Sequence, residues 1–159
     1  MTRVRDPIHD YIDLSSVEVK IVDTPAYQRL RWIKQLGPTN LVYPGANHTR
    51  HEHCMGTSHV VGKMADSVGL ESGDKQLASV AGLLHDIGHT AFSHLGDEID
   101  GVEDHVIRTT KIIAKTEISD ILSEEGIDSK EVNRIILGEH RLGPLVSGDL
   151  DGDRLDYLV

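Results

Sequence analysis

The sequence predicts an all-α domain, and three observations carry that prediction. Apolar residues recur at helical spacing through most of the chain, as in Tyr27, Leu30 and Ile33. Helix start and stop residues bracket these stretches: Ser15 with Glu18, Thr24 with Pro25, and Gly88 just after Asp86. Strand-like alternation is confined to Tyr11-Ile12-Asp13-Leu14. The expected architecture is a helical bundle with little or no strand.

Taken in order, residues 3–14 read as an extended opening segment with a turn at Asp6-Pro7. Ser15 and Glu18 form a capping box that opens a short helix over 17–22. Thr24 as cap and Pro25 at the first helical position start a second helix. Its apolar positions are Tyr27, Leu30, Ile33 and Leu36, and Gly37-Pro38 closes it. Residues 41–47 are expected as a short extended piece and turn. His48-Thr49-Arg50-His51-Glu52-His53 then leads into a helix running to about Leu70, with Val60, Val61, Met64 and Val68 as its core stripe. Residues 71–75 read as a polar loop around Gly73. Leu77 to Leu84 forms the apolar helix that ends in His85-Asp86, where Gly88 is expected to stop it in the left-handed conformation. Helices over 102–114, 118–122 and 129–137 follow, and an acidic run over 149–157 ends the chain.

The length of 159 residues fits one domain with a substantial core. A net charge of -10 argues against bulk nucleic-acid binding and leaves room only for a local basic pocket. Cys54 is the only cysteine, which excludes a disulfide framework and a cysteine-rich zinc site. No apolar run is long enough for a bilayer, and the N-terminus lacks the apolar core of a signal peptide. A cytoplasmic protein without membrane attachment is expected.

Three clusters carry the candidate chemistry. One holds His48, His51 and His53; the second His85, Asp86, His89 and His94; the third Asp149, Asp151, Asp153 and Asp156. A metal site in a helical bundle draws ligands from facing helices. One ligand from the first cluster, two from the second and one carboxylate from the third would complete it. Imidazole with carboxylate suits a divalent transition metal. The acidic run also opens like a calcium loop, Asp149-x-Asp151-Gly152-Asp153, but the later bidentate Glu of an EF-hand is missing. Each cluster alone is equally compatible with an ordinary role: a histidine against a helix dipole, or carboxylates at a solvated turn.

Together the motifs resemble the HD-domain metal-dependent phosphohydrolases. Within them they resemble the SAM and HD domain-containing deoxynucleoside triphosphate triphosphohydrolases. The matching blocks run through nearly the whole chain: Asp6-Pro7-Ile8-His9, Gln28 to Gly37, Tyr43-Pro44-Gly45-Ala46, Arg50-x-Glu52-His53-x-x-Gly56, His85-Asp86-Ile87-Gly88-His89-x-x-Phe92-Ser93-His94 and Asp153-Arg154-Leu155-Asp156-Tyr157. The resemblance implies an HD-domain helical bundle with a metal site between helices, and ligation of a divalent ion (iron, manganese, nickel, zinc or magnesium) by His53, His85, Asp86 and Asp153. His51 is the competitor to His53, which the family motif favours by its place three residues after Arg50. The resemblance further implies that Gln35 contacts the sugar, that Arg50 and Arg154 contact phosphate, and that Tyr157 lines the sugar pocket. Asp23, Gln28 and Arg31 match positions that grip a regulatory guanine nucleotide at a subunit interface, which implies a homo-oligomer. Two departures stand out. Val106 follows His105 where the family carries Glu, and the family continues well past the Asp153 block. The chain ends at Val159 in what reads as mid-helix, so residues 1–159 are expected to be a single HD domain lacking the C-terminal part of the catalytic region.

The expected activity is metal-dependent hydrolysis of a deoxynucleoside triphosphate to deoxynucleoside and tripolyphosphate. The alternatives are hydrolysis of another nucleotide phosphoester, such as a nucleoside monophosphate or cyclic nucleotide, and nucleotide binding without turnover. His94 and His105 are the candidates to protonate the leaving alkoxide, with Asp97, three residues after His94, as the partner of His94. His89 is expected to position water. Lys34, Arg50 and Arg154 would balance the charge of a triphosphate.

Overall fold

Two antiparallel strands, β1 (Thr2–Asp6) and β2 (Asp10–Leu14), precede eight α-helices in the computed structural model, which describes residues 2–158. The sequence-predicted helical bundle is therefore present, with one small hairpin added to it. Thr2 pairs with Leu14 and Asp6 with Asp10, so Ile12 and Leu14 point into the core while Tyr11 and Asp13 face outward. The alternation was legible in the sequence. The pairing was not, because the three-residue tip Pro7-Ile8-His9 carries no Asn-Gly or Asp-Gly turn signal. Asp6 holds the tip together instead: its carboxylate accepts from the amides of Ile8 and His9 at 2.8 and 2.9 Å.

The capping box opens α1 (Ser16–Val22), with Glu18 accepting from the Ser15 amide at 2.7 Å. Thr24 caps α2 (Pro25–Gln28), accepting from the Tyr27 amide. The helix expected to reach Leu36 stops early. It tightens into a 3-10 turn over Arg29–Trp32, and Ile33 is extended. Backbone pairing explains the break: the Ile33 carbonyl accepts from the Arg50 amide at 2.8 Å, and the Gln35 amide donates to His48 at 3.1 Å. Leu36 is consequently exposed, and the stretch expected as extended begins inside a second 3-10 turn, Gly37–Leu41.

Thr49 and Glu52 cap α3 (Arg50–Ser67) through the Thr49 amide at 2.6 Å. Of the stripe expected on this helix, only Val61 is fully buried, and Val68 is 64% exposed. The buried face is Cys54, Thr57, Ser58, Val61 and Ala65. Small residues fit there because α4 (Ser72–Leu84) approaches closely: a Cβ on Gly82 would lie 3.2 Å from Val61 and 3.4 Å from the Ser58 backbone. Helix α4 begins at Ser72 and absorbs the predicted polar loop; its first turns are polar because they face solvent. Then follow α5 (His105–Lys115), α6 (Glu117–Glu124), α7 (Ser129–Ile136) and α8 (Gly152–Tyr157). Asp104, Thr116, Asp128 and Asp151 cap these four. A Cβ on Gly152 would meet Val61 at 2.4 Å, so α8 lies pressed on α3. No helix among the described residues is long and apolar enough to cross a membrane. Val159 lies outside the described residues.

The end of α4 corrects the reading of Gly88, which is not in the left-handed conformation. Glycine is required there by close approach instead: a Cβ would stand 2.1 Å from the His105 carbonyl and 2.5 Å from Thr109. Thr109 exploits the gap, accepting from the Gly88 amide at 2.9 Å and donating to the His85 carbonyl at 3.2 Å. Arg29 donates to the carbonyls of Ile87 and His89, and Arg108 to that of Gly88 at 2.7 Å. The carbonyls of the turn beyond the helix are thereby satisfied. Gly88→Ala is expected to push α5 off this turn and destabilise the fold by about 1–3 kcal/mol, read as a lower urea midpoint. An unchanged midpoint would mean that the contact yields without strain.

Candidate active site

Three helices bring four metal-type donors to one point. His53 projects from the first turns of α3, His85 and Asp86 from the end of α4, and Asp153 from the first turn of α8. The His53 Nε2 lies 2.9 Å from an Asp153 oxygen and 3.6 Å from Asp86 Oδ2. The His85 Nε2 lies 3.4 Å from Asp86 Oδ2 and 3.7 Å from Asp153. Neither Nε2 has a hydrogen-bond partner, although both are buried. Their other nitrogens are committed: His53 Nδ1 donates to Asp156 and His85 Nδ1 to the Gly82 carbonyl, each at 2.7 Å. Both rings therefore present a lone pair at Nε2, the arrangement that metal-binding histidines use. Two imidazoles and two carboxylates fit a divalent cation in ligand type and in charge.

A cation at this point would take the place of the protons that the neighbouring carboxylates otherwise favour on the two rings. Burial works against charge on His53 and His85, yet the surrounding carboxylates outweigh it and raise both pKa values. Burial likewise opposes ionisation of Asp86, but His85, His89 and Arg50 hold its carboxyl well below the usual range. Arg50 is itself buried, donating to Asp86 Oδ2 and Ser93 Oγ, and at 3.4 Å to the Gln35 carbonyl. The remaining members of the clusters go elsewhere. His51 packs edge-on to Tyr27, and burial lowers its pKa to about 4. Asp151 caps α8.

A second group, His89, His94, Asp97 and His105, gathers beside the first. His89 and His105 stack at 4.0 Å, and His94 stands edge-on to both. The pairing expected for Asp97 is corrected here. It accepts from His105 Nδ1 and from Arg108, each at 2.7 Å, while His94 Nδ1 is 3.8 Å away. Two donors from α5 outcompete the sequence neighbour. Asp97 thereby gives His105 the acidic partner that Val106 cannot provide. Burial opposes charge on Asp97, but Arg108 and His105 keep its carboxyl below the usual range. His89 is fully buried with both ring nitrogens unpartnered; burial lowers its pKa to about 4, so the ring is neutral near pH 7. His94 is largely exposed.

His85, Asp86 and Asp153 of the first group and His94 and His105 of the second open on one cleft of about 400 Å³, which Gln35, Arg50, Arg154 and Tyr157 also line. The Gln35 side-chain oxygen is buried without a partner. Arg154 is exposed and donates to the Asp149 carbonyl at 2.9 Å. Lys34 is not in the cleft lining and bonds Asn47 instead. A larger cavity of about 490 Å³ lies between β2, α3 and α4, but it contains no member of either group, so the chemistry belongs to the smaller cleft. Asp23 and Arg31 are exposed, away from the cleft lining. Asp23 is the C-terminal cap of α1. Gln28 ties its neighbours together, donating to the Val22 carbonyl at 2.7 Å and accepting from Arg31 at 2.8 Å. Sequence reasoning missed Asp156 as the partner of His53, and Ser93 and Arg108 as anchors. Only Asp156 carried a signal, three residues after Asp153 on one helix face.

Residues 50–157 match the HD domain family. Over its whole length the chain is 40% identical to an uncharacterized protein of Methanocaldococcus jannaschii, of which it spans 33%. It is 42% identical over 104 residues to the deoxynucleoside triphosphate triphosphohydrolase SAMHD1 of Homo sapiens, a match covering 61% of this chain and 17% of that one. Among solved structures, a phosphohydrolase from Bacteroides thetaiotaomicron superposes with a TM-score of 0.84 at 32% identity, over 99% of this chain and 41% of that one. The chain thus spans less than half the length of each of these relatives. The family match covers the His53, His85-Asp86 and Asp153 blocks in a helical fold shared with a phosphohydrolase, and the chain belongs to the HD domain family.

Proposed function

We propose that this domain hydrolyses deoxynucleoside triphosphates to deoxynucleoside and tripolyphosphate. The observation that carries the reading is the shared cleft: His53, His85 and Asp86 with Asp153 beside them, and the His89–His94–Asp97–His105 group, both contribute to a space lined by two arginines. The likeness to the human triphosphohydrolase supports the choice of substrate. A divalent ion on His53, His85, Asp86 and Asp153 supplies charge neutralisation at the phosphoryl group and lowers the pKa of water. The residues of the chain do the rest. Arg154 and the Arg50 guanidinium face the phosphates, and Gln35 offers its unpartnered oxygen to a sugar hydroxyl. As the water oxygen joins phosphorus it gives up its proton to solvent, the bond from phosphorus to the 5′ oxygen breaks, and His94, exposed enough to be reprotonated from solvent, gives that oxygen a proton. His105, held by Asp97 and Arg108, fixes the edge of the ring stack against which His94 stands.

Regulation by a guanine nucleotide at a subunit contact belongs to the same proposal. Gln28 and Arg31 already form a bonded pair beside Asp23. Trp32, Leu41, Val42 and Tyr43, in the segment that follows, leave most of their surface in solvent, as an interface residue does before assembly.

Three outcomes are expected. With manganese and a deoxynucleoside triphosphate, the product is tripolyphosphate; orthophosphate would point to a different phosphoester, and binding without turnover to a regulatory module. His94→Ala is expected to keep its metal and lose roughly 10²–10⁴ in rate, whereas near-normal turnover would move the proton donor to His105. In sedimentation, GTP or dGTP is expected to raise the mass of the protein and Asp23→Ala to abolish the effect; an unchanged mass at saturation would leave Asp23 as a helix cap alone.

A further inference from the structure

We infer that His9, at the tip of the N-terminal hairpin, is a positioning residue of the metal site, acting through Asp156 on His53. The inference rests on the four-donor reading above. Asp156 is buried, and its carboxylate bridges two imidazoles: one oxygen accepts from His53 Nδ1 and the other from His9 Nε2, each at 2.7 Å. Among the described residues no arginine or lysine contacts it. The two imidazole N–H groups are therefore what fixes its orientation. An ionised carboxylate only accepts, so each facing nitrogen carries a proton. That leaves His53 with its lone pair on Nε2, aimed at Asp86 and Asp153.

The surroundings are shaped for this bridge. Gly56, one turn after His53 on α3, leaves the space that Asp156 fills: a Cβ there would lie 1.9 Å from its Oδ1. The same helix thus supplies the ligand and the slot for the group that orients it. From the other side, Asp6 ties the amides of Ile8 and His9 to one oxygen, and Asp10 turns the chain with φ at 59°. The His9 ring leans on His59 of α3 at 5.1 Å. The hairpin tip is consequently rigid, and His9 holds Asp156 without help from a flexible side chain. A carboxylate anchored at one oxygen alone would be free to turn, and the His53 ring would lose its fixed direction. Partners one shell removed from a metal ligand change metal affinity by this route.

A purely structural role, stapling the hairpin to α8, would change stability and leave metal affinity alone. The test therefore reads metal binding. The intact chain is stripped of metal and titrated with Co²⁺, following the visible spectrum, and the unfolding midpoint of each metal-free protein is recorded. His9→Phe keeps a ring against His59 but removes the donor. His9→Asn keeps a polar tip but is too short to reach Asp156. Both are expected to bind Co²⁺ more weakly, by up to the roughly 10–100-fold that loss of a ligand's direct partner causes, with a shifted spectrum. His9→Gln returns an N–H at the reach of Nε2 and is expected to recover affinity. Should one of the first two variants fail to fold, the other carries the comparison. Wild-type affinity and spectrum in the folded variants would overturn the role of His9 while leaving the metal site intact. A wild-type protein that binds no Co²⁺ would overturn the four-donor reading and this inference with it.

Discussion

Asp86 keeps its charge in the interior, where it is 5% exposed, and the fold is arranged to make that tolerable. An isolated carboxylate taken out of water is penalised by several kcal/mol unless it is paired. Here the buried Arg50 guanidinium pairs with it and three imidazoles surround it. Arg50 and His53 come from one helix, His85 from the adjoining position, and His89 from the turn beyond, its Nε2 3.3 Å away. Arg50 and His53 can reach Asp86 only if α3 and α4 lie close, and the small residues Ser58 and Gly82 between them permit that approach. The turn after α4 must then stop sharply and hold its shape, which Gly88, Thr109, Arg29 and Arg108 accomplish. The bundle is in this sense built outward from one buried anion.

The same carboxylate joins the two halves of the cleft. Its Oδ2 faces His53, His85 and Arg50, and its Oδ1 faces His89. His89 in turn stacks on His105. A cation at the first group and a proton at the second are therefore linked through a single side chain and one neutral ring. In the proposed reaction, charge neutralisation would come from the first group and proton delivery from the second, which is what phosphoryl transfer asks of a protein.

Features fixed by local chemistry could be read from the sequence. Ser15 with Glu18 and Thr24 with Pro25 each announce a helix start, because a cap and its partner lie within one turn. The convergence of histidine and aspartate blocks was legible for a related reason, since few arrangements of helices can use so many ligands. What depends on contacts distant in sequence was not. Nothing near Ile33 shows that its carbonyl is taken by Arg50, so the second helix was drawn too long. The spacing of Asp97 to His94 suggested a pair, whereas the shorter bonds come from His105 and Arg108 on another helix. Gly88 illustrates the point most sharply: glycine was right, but the reason is a neighbouring carbonyl and not its own dihedral angle.

The measurement that bears most directly on this account is anomalous diffraction at the metal edge from crystals grown with manganese, for the native protein and for Asp86→Ala. The account predicts one peak in the native protein, about 2.0–2.2 Å from His53 Nε2, His85 Nε2 and oxygens of Asp86 and Asp153, and none in the variant. A peak confined to the His89, His94, Asp97 and His105 group, or one undiminished in Asp86→Ala, would contradict it.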